Sequence, residues 1–162
     1  MRICLIGYFT GHPDEGFKKV CRHLAEELSR RHQVLSIDVG DVFSPRSWKR
    51  VRDFSPQVVH QIAGPALSAF VSLKTMARFS GGARSVMSAL HPGSLFPGWP
   101  SRRLISWLKP DLTLVQCPES QALFRSLGLS TAFLPNGVDC RRFAPVDGEA
   151  KRKLREKYGI IP

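Results

Sequence analysis

The chain has 162 residues, 43% hydrophobic and 23% charged, the balance of one ordinary globular domain that needs neither metal nor disulfide staples to fold. Its four widely spaced cysteines, Cys4, Cys21, Cys117 and Cys140, form no C-x-x-C and have no histidine at finger spacing, which speaks against zinc and for a reduced, cytoplasmic setting. The net charge is +11, and ten Lys/Arg against one acid, Asp53, place +9 of it between Ser44 and Pro110, a distribution suited to an anionic partner.

Arg2 to Tyr8 reads as a short buried strand, not a signal peptide, because the apolar run lacks a small-residue cleavage pattern and ends in a glycine loop. The loop from Phe9 to Gly16 follows. A helix is then predicted, since Phe17, Val20, Cys21, Leu24, Ala25 and Leu28 recur at helical spacing with charged residues on the opposite face. Val34 to Val39 is a second strand. Asp41 to Phe54 reads as a basic loop with room for a short helix, and Gln57 to Ile62 as a third strand. Ala66 to Phe79 is a long helix stopped by Gly81-Gly82. The weakly polar run from Ile62 to Leu73 is too short to cross a bilayer and contains Pro65, so an integral membrane protein is not expected.

Arg84 to Leu90 is a fourth strand, followed by a Pro/Gly-rich loop from His91 to Pro100 and a short helix from Ser101 to Leu108. Asp111 to Gln116, Glu119 to Leu127 and Thr131 to Leu134 complete the alternation as strand, helix and sixth strand. Such alternation implies parallel strands joined by crossovers, hence an α/β, doubly wound, Rossmann-like sheet of about six strands. Beyond Pro135 the pattern breaks into a linker, Asn136 to Pro145, and a charged helix from Gly148 to Tyr158. The expected organisation is a domain over 1–135, a hinge over 136–145 and the start of a second domain over 146–162.

Ligands of open α/β sheets bind at the carboxyl ends of the strands. The first loop lies there, and Gly11 and Gly16 would let backbone N–H groups approach a phosphate at the helix start. His12 and Asp14 in the same loop are candidate contacts to hydroxyl groups, with ordinary turn chemistry as the competing reading. His60, near the end of the third strand, is a further candidate against a packed interior histidine. Glu119 opens a helix, where the dipole alone accounts for an acid. The loop lacks G-x-G-x-x-G, which weighs against a dinucleotide enzyme.

The segment Leu134-Pro135-Asn136-Gly137-Val138-Asp139, followed by Phe143 and Pro145, resembles the "P-N-G-V-D…F-x-P" hinge of family 4 glycosyltransferases of the GT-B type. Leu154-Arg155-Glu156-Lys157-Tyr158-Gly159-Ile160 is similar to the helix that follows it there, and Val58-Val59-His60 and Val86 to Pro92 resemble that family's third and fourth strands. An Asn-Gly turn is expected at Asn136-Gly137, where positive φ would be required, and both residues are assigned to the hinge. The resemblance covers nearly the whole chain in consistent order. It departs in the first loop, where Gly16 follows Asp14-Glu15 instead of a second glycine, and at Pro118, where serine is usual.

The resemblance implies the amino-terminal, acceptor-side half of a retaining enzyme that moves a sugar from a nucleotide-sugar to a hydroxyl of a glycan or lipid-linked acceptor. His91 would contact the transferred sugar and is the catalytic candidate. No cofactor or metal is implied; the nucleotide-sugar is a co-substrate bound mainly by a carboxy-terminal domain, in cis or as a split subunit. The chain alone is expected to be inactive. The basic stretch permits a second class, a non-catalytic module on anionic lipid or another polyanion. Trp48, Lys49, Arg50, Arg102 and Arg103 would make that contact, on the cytoplasmic face of a membrane. A nucleic-acid partner lacks any recognisable motif or stacking platform.

Overall fold

The computed structural model describes residues 1–11, 16–64, 66–90, 104–137, 140 and 143–160. The elements in chain order are β1 (Arg2–Gly7), α1 (Gly16–Ser29), β2 (Gln33–Asp38), a 3₁₀ turn (Val39–Asp41), α2 (Pro45–Phe54), β3 (Val58–Ala63), α3 (Leu67–Phe79) and β4 (Arg84–Ala89). A helical turn at 104–107 leads to β5 (Leu112–Val115), α4 (Pro118–Ser126), β6 (Thr131–Phe133) and α5 (Gly148–Lys157). All six strands join one sheet in the order β2-β1-β3-β4-β5-β6, and every pairing is parallel. The expected α/β Rossmann-like sheet with helices on both faces is therefore present.

The stretch from Asp41 to Phe54, expected as a basic loop with room for a short helix, is mostly helix. Its last ten residues form the regular helix α2. Ser44 caps it by accepting a hydrogen bond from the Ser47 N–H, Pro45 supplies a preset φ in the first turn, and Ser55 ends it at φ 47°. Ser47 and Val51 face inward and are buried, while Lys49, Arg50 and Arg52 point to solvent. The charge density hid an amphipathic helix whose buried stripe is only a few residues long.

The two faces of the sheet are filled unequally. One carries the larger core, where Cys4, Ile6, Val59, Met87 and Val115 meet Phe70, Leu73 and Met76 of α3 and Phe124 of α4. Burying each such large side chain contributes about 1.5–3 kcal/mol. The other face holds a smaller core of Ile3, Leu5, Ile62 and Cys21 of α1. Along β4, Ser85, Met87 and Ala89 are buried but Val86 and Ser88 are half-buried, and along β5 Thr113 and Val115 are buried but Leu112 and Leu114 are not. The α1 side thus thins out over β4 and β5, and a cleft opens there at the carboxyl edge. At the opposite edge, Asp111 fastens β5 to β4 by accepting from the Ser85 N–H and hydroxyl, each at 2.7 Å. With Arg84 adding to those bonds, the Asp111 carboxyl stays below its ordinary pKa despite some burial.

Candidate functional site at the carboxyl edge of the sheet

The strand order reverses between β1 and β3, and ligands of open α/β sheets bind beyond the carboxyl ends of the strands at such a switch point. Gly7 ends β1 where α1 passes closest: a β-carbon there would lie 2.6 Å from Cys21 Sγ. The chain beyond is held by Asp38, at the end of β2. Its Oδ2 accepts from the Phe9 N–H at 2.9 Å, the Thr10 N–H at 3.0 Å and the Thr10 hydroxyl at 2.9 Å. Its Oδ1 accepts from the Gly40 N–H at 3.1 Å. Partial burial raises the Asp38 pKa, but these bonds outweigh it and the carboxyl stays below its ordinary value. Arg22 of α1 adds a bond to the Phe9 carbonyl at 3.2 Å. Gly11 then takes φ 89°, a conformation open to glycine, with the Lys18 ammonium group folded against it.

Gly16 and Phe17 at the start of α1, Val20, Leu90 after β4, Gln116 after β5 and Asn136 after β6 line a cleft of about 280 Å³. The Phe17 ring lies 6.0 Å from that of Tyr8, centroid to centroid, which fixes its tilt. Within the lining, Gln116 Nε2 donates to Asn136 Oδ1 at 2.7 Å. The described lining residues include no ionisable side chain. The described residues of the cleft therefore offer apolar side chains and a pair of amides.

Of the residues singled out in the sequence, Gly16 and Asn136 meet in this cleft, and Gly11 sits in the adjoining loop. His12, Asp14, His91, Arg102 and Arg103 lie outside the described residues. His60 lies inside the sheet, opposite Leu5 and Val86, and is 8% exposed. Its Nε2 is 2.8 Å from the Ser88 hydroxyl, and desolvation pushes its pKa down to about 4, so the ring is neutral and its surroundings are those of a packed interior histidine. Glu119 is exposed in the first turn of α4.

The expected Asn-Gly turn is corrected. Neither Asn136 nor Gly137 has positive φ. The chain leaves β6 without a turn, the Leu134 N–H still bonds the Val115 carbonyl at 2.8 Å, and the Asn136 side chain is engaged by Gln116 instead of bending its own backbone. Trp48 is half-buried on the opposite side of the sheet from α1, its ring 4.3 Å from that of Phe79 and its Nε1 bonded to the Val42 carbonyl at 2.9 Å. Lys49 and Arg50 are exposed beside it, with one Arg50 η-nitrogen 3.5 Å from the Ser36 carbonyl. The basic helix and the cleft are thus not brought together.

Sequence reasoning missed two residues, Asp38 and Gln116. A lone acid ending an apolar strand was the available signal for the first; nothing but position at a strand end marked the second. Asp38 also bears on the dinucleotide alternative. An acid at this place would have to meet ribose hydroxyls, and here the carboxylate is committed to four donors of its own chain. Among the described residues no helix is long and apolar enough to cross a membrane. No family model matches the chain, and no curated protein matches it either.

Proposed function

We propose that this chain is the acceptor-side lobe of a retaining GT-B glycosyltransferase of the family 4 type, working with a second lobe that binds the nucleotide-sugar. The observation that carries the reading is the cleft of about 280 Å³ at the carboxyl edge, whose described lining residues carry no charge and include Asn136 of the P-N-G-V-D run. The α1 amino terminus beside it favours negative charge, which suits the departing diphosphate of a donor closing over the cleft. Gly11 and Gly16 would give that group access to backbone N–H, and His91 would contact the transferred sugar, as the resemblance implies.

A second lobe is supported by the surface of the last thirty residues. Leu134, Phe143, Val146, Leu154, Tyr158 and Ile160 are each at least 43% exposed, and α5 has no buried residue. Closure about the stretch that begins at Asn136 would bring the lobes together, so the chain by itself does not turn over. The acceptor in this reading is a glycan or lipid-linked sugar, and exposed Lys49, Arg50 and Arg52 of α2 would hold the lobe near an anionic cytoplasmic membrane surface.

Beside the polyanion-binding module, a dinucleotide enzyme is a competing class, and calorimetry separates it from this proposal. Titration with NAD, NADP and nucleotide-sugars is expected to give no tight complex with this lobe alone. Micromolar binding of a dinucleotide would overturn the proposal.

A further inference from the structure

A second concave surface lies at the amino edge of the sheet. There the turn that joins α1 to β2 meets the starts of β1 and β3, and a groove of about 440 Å³ is lined by Arg2, Arg30, Arg31, His32 and Gln57 among others. Volumes of this order hold small molecules. The length of β1, roughly 17 Å for six residues, separates this groove from the carboxyl-edge cleft. Arg2 is fixed in place: its Nε donates to the Ser55 carbonyl at 2.8 Å, and its backbone N–H donates to Gln57 Oε1 at 3.0 Å. The first bond leaves the two η-nitrogens of the guanidinium, and the second the Gln57 Nε2 hydrogens, without a protein partner among the described residues. Arg31 is exposed and makes no ion pair among the described residues, whereas Arg30 pairs with Glu27 at 2.9 Å in the open. No carboxylate is among the described lining residues. Cations beside a helix end can simply answer its dipole. Arg2, however, comes from another element, and the last turn of α1 itself carries no basic residue. His32 lines the same groove, and its Nδ1 is buried without a hydrogen-bond partner among the described residues. Buried polar atoms are usually paired, so the polar wall of the groove is unfinished.

We infer that this groove is an anion site that takes a phosphate group on Arg2 and Arg31, with Arg30 and Gln57 adding donors. The planar fork of a guanidinium matches two phosphate oxygens at once, and a fork already held through its Nε loses less freedom on binding. The chemistry is that of a phosphate monoester, carried by a soluble molecule or by a lipid headgroup. The inference goes beyond the glycosyltransferase reading and does not depend on it, since the groove lies at the edge of the sheet remote from the cleft.

The test is a titration of the ¹⁵N-labelled chain with inorganic phosphate and pyrophosphate, against chloride at equal ionic strength, paired with cosedimentation on phosphatidic acid and phosphatidylcholine vesicles. Phosphate or pyrophosphate should shift the amides of Arg2, Arg31, His32 and Gln57 in a saturable way, and chloride should not. Arg2→Gln and Arg31→Gln should each weaken binding about tenfold, the effect of losing a charge-assisted hydrogen bond. Lys49→Gln and Arg50→Gln on α2 should leave it unchanged. The Arg31 side chain makes no bond that holds the fold, so its variant should keep the spectrum of the folded sheet. Saturable binding of the free anions without vesicle capture assigns the site to a soluble phosphate, and capture on phosphatidic acid that is lost in Arg31→Gln assigns it to a headgroup; both support the site. Shifts that follow ionic strength alone, or that persist in both arginine variants, with no vesicle capture that depends on Arg31, would overturn it.

Discussion

Gly7 and Cys21 are in contact where β1 meets α1, and the space for a β-carbon at Gly7 is already taken by the cysteine sulfur at 2.6 Å. This contact sets how closely the helix that opens at the cleft lies against the strand that feeds it. Gly7→Ala should push α1 outward and cost about 1–3 kcal/mol, the usual penalty for overpacking. Cys21→Ala removes the sulfur, so the double variant should lose less than the sum of the two single changes. Urea unfolding of the four proteins measures this coupling; simple additivity would show that the sulfur is not the obstacle.

Asp38 holds the first loop from a strand 28 residues away in sequence. Asp38→Ala should release the Phe9 and Thr10 amides, whose hydrogen exchange should quicken by the equivalent of about 1–3 kcal/mol, while Leu5 and Val59 remain protected. The pH dependence has the sign of a lowered carboxylate. The stabilisation is complete above the ordinary aspartate value of 3.8 and is lost as pH falls through the lower value in the fold. Equal exchange in the variant and the parent would show that the loop holds itself.

His60 predicts an acid-side slope of the opposite kind of group. Its pKa falls from 6.5 to about 4 because burial disfavours the imidazolium. The unfolded chain therefore takes up a proton that the folded one refuses. Stability is fully present above about pH 6.5 and declines toward pH 4, by about 3 kcal/mol in all. His60→Gln should flatten that stretch of the stability–pH curve, and an unchanged slope would place its origin elsewhere.

The cysteines should separate by reactivity. Cys4 is buried and its thiol is pushed up to about 12 by desolvation, and burial also raises Cys21. Cys140 is exposed and Cys117 half-buried. Alkylation at neutral pH should reach Cys140 first, Cys117 more slowly, and Cys4 and Cys21 only on unfolding. Mass spectrometry of a time course reads the order, and early labelling of Cys4 would contradict the placement of β1 in the larger core.

What the sequence made legible follows from local chemistry. The strands are short apolar runs, and α1 and α3 declare themselves by spacing. α2 was legible too, in Ser44-Pro45 and in Trp48, Val51 and Phe54, but four cationic side chains between them masked the pattern. The site was less readable, because its parts are neighbours only in space. Asp38 acts on Phe9 and Thr10 because β2 lies beside β1, and Gln116 finds Asn136 because β6 extends the sheet past β5. At Asn136-Gly137 the local signal misled: neither residue of a pair that usually marks a turn takes positive φ, and the Asn136 side chain bonds a partner twenty residues away.

Sugar transfer measured with the chain alone, and again with the donor-binding lobe of a family 4 glycosyltransferase supplied in trans, tests the central claim most directly. With nucleotide-sugars and a panel of glycan and lipid-linked acceptors, the account predicts transfer only when the second lobe is present, with retained anomeric configuration and strong loss in Asn136→Ala. Robust transfer by the chain alone, or transfer indifferent to every change in the cleft, would contradict it.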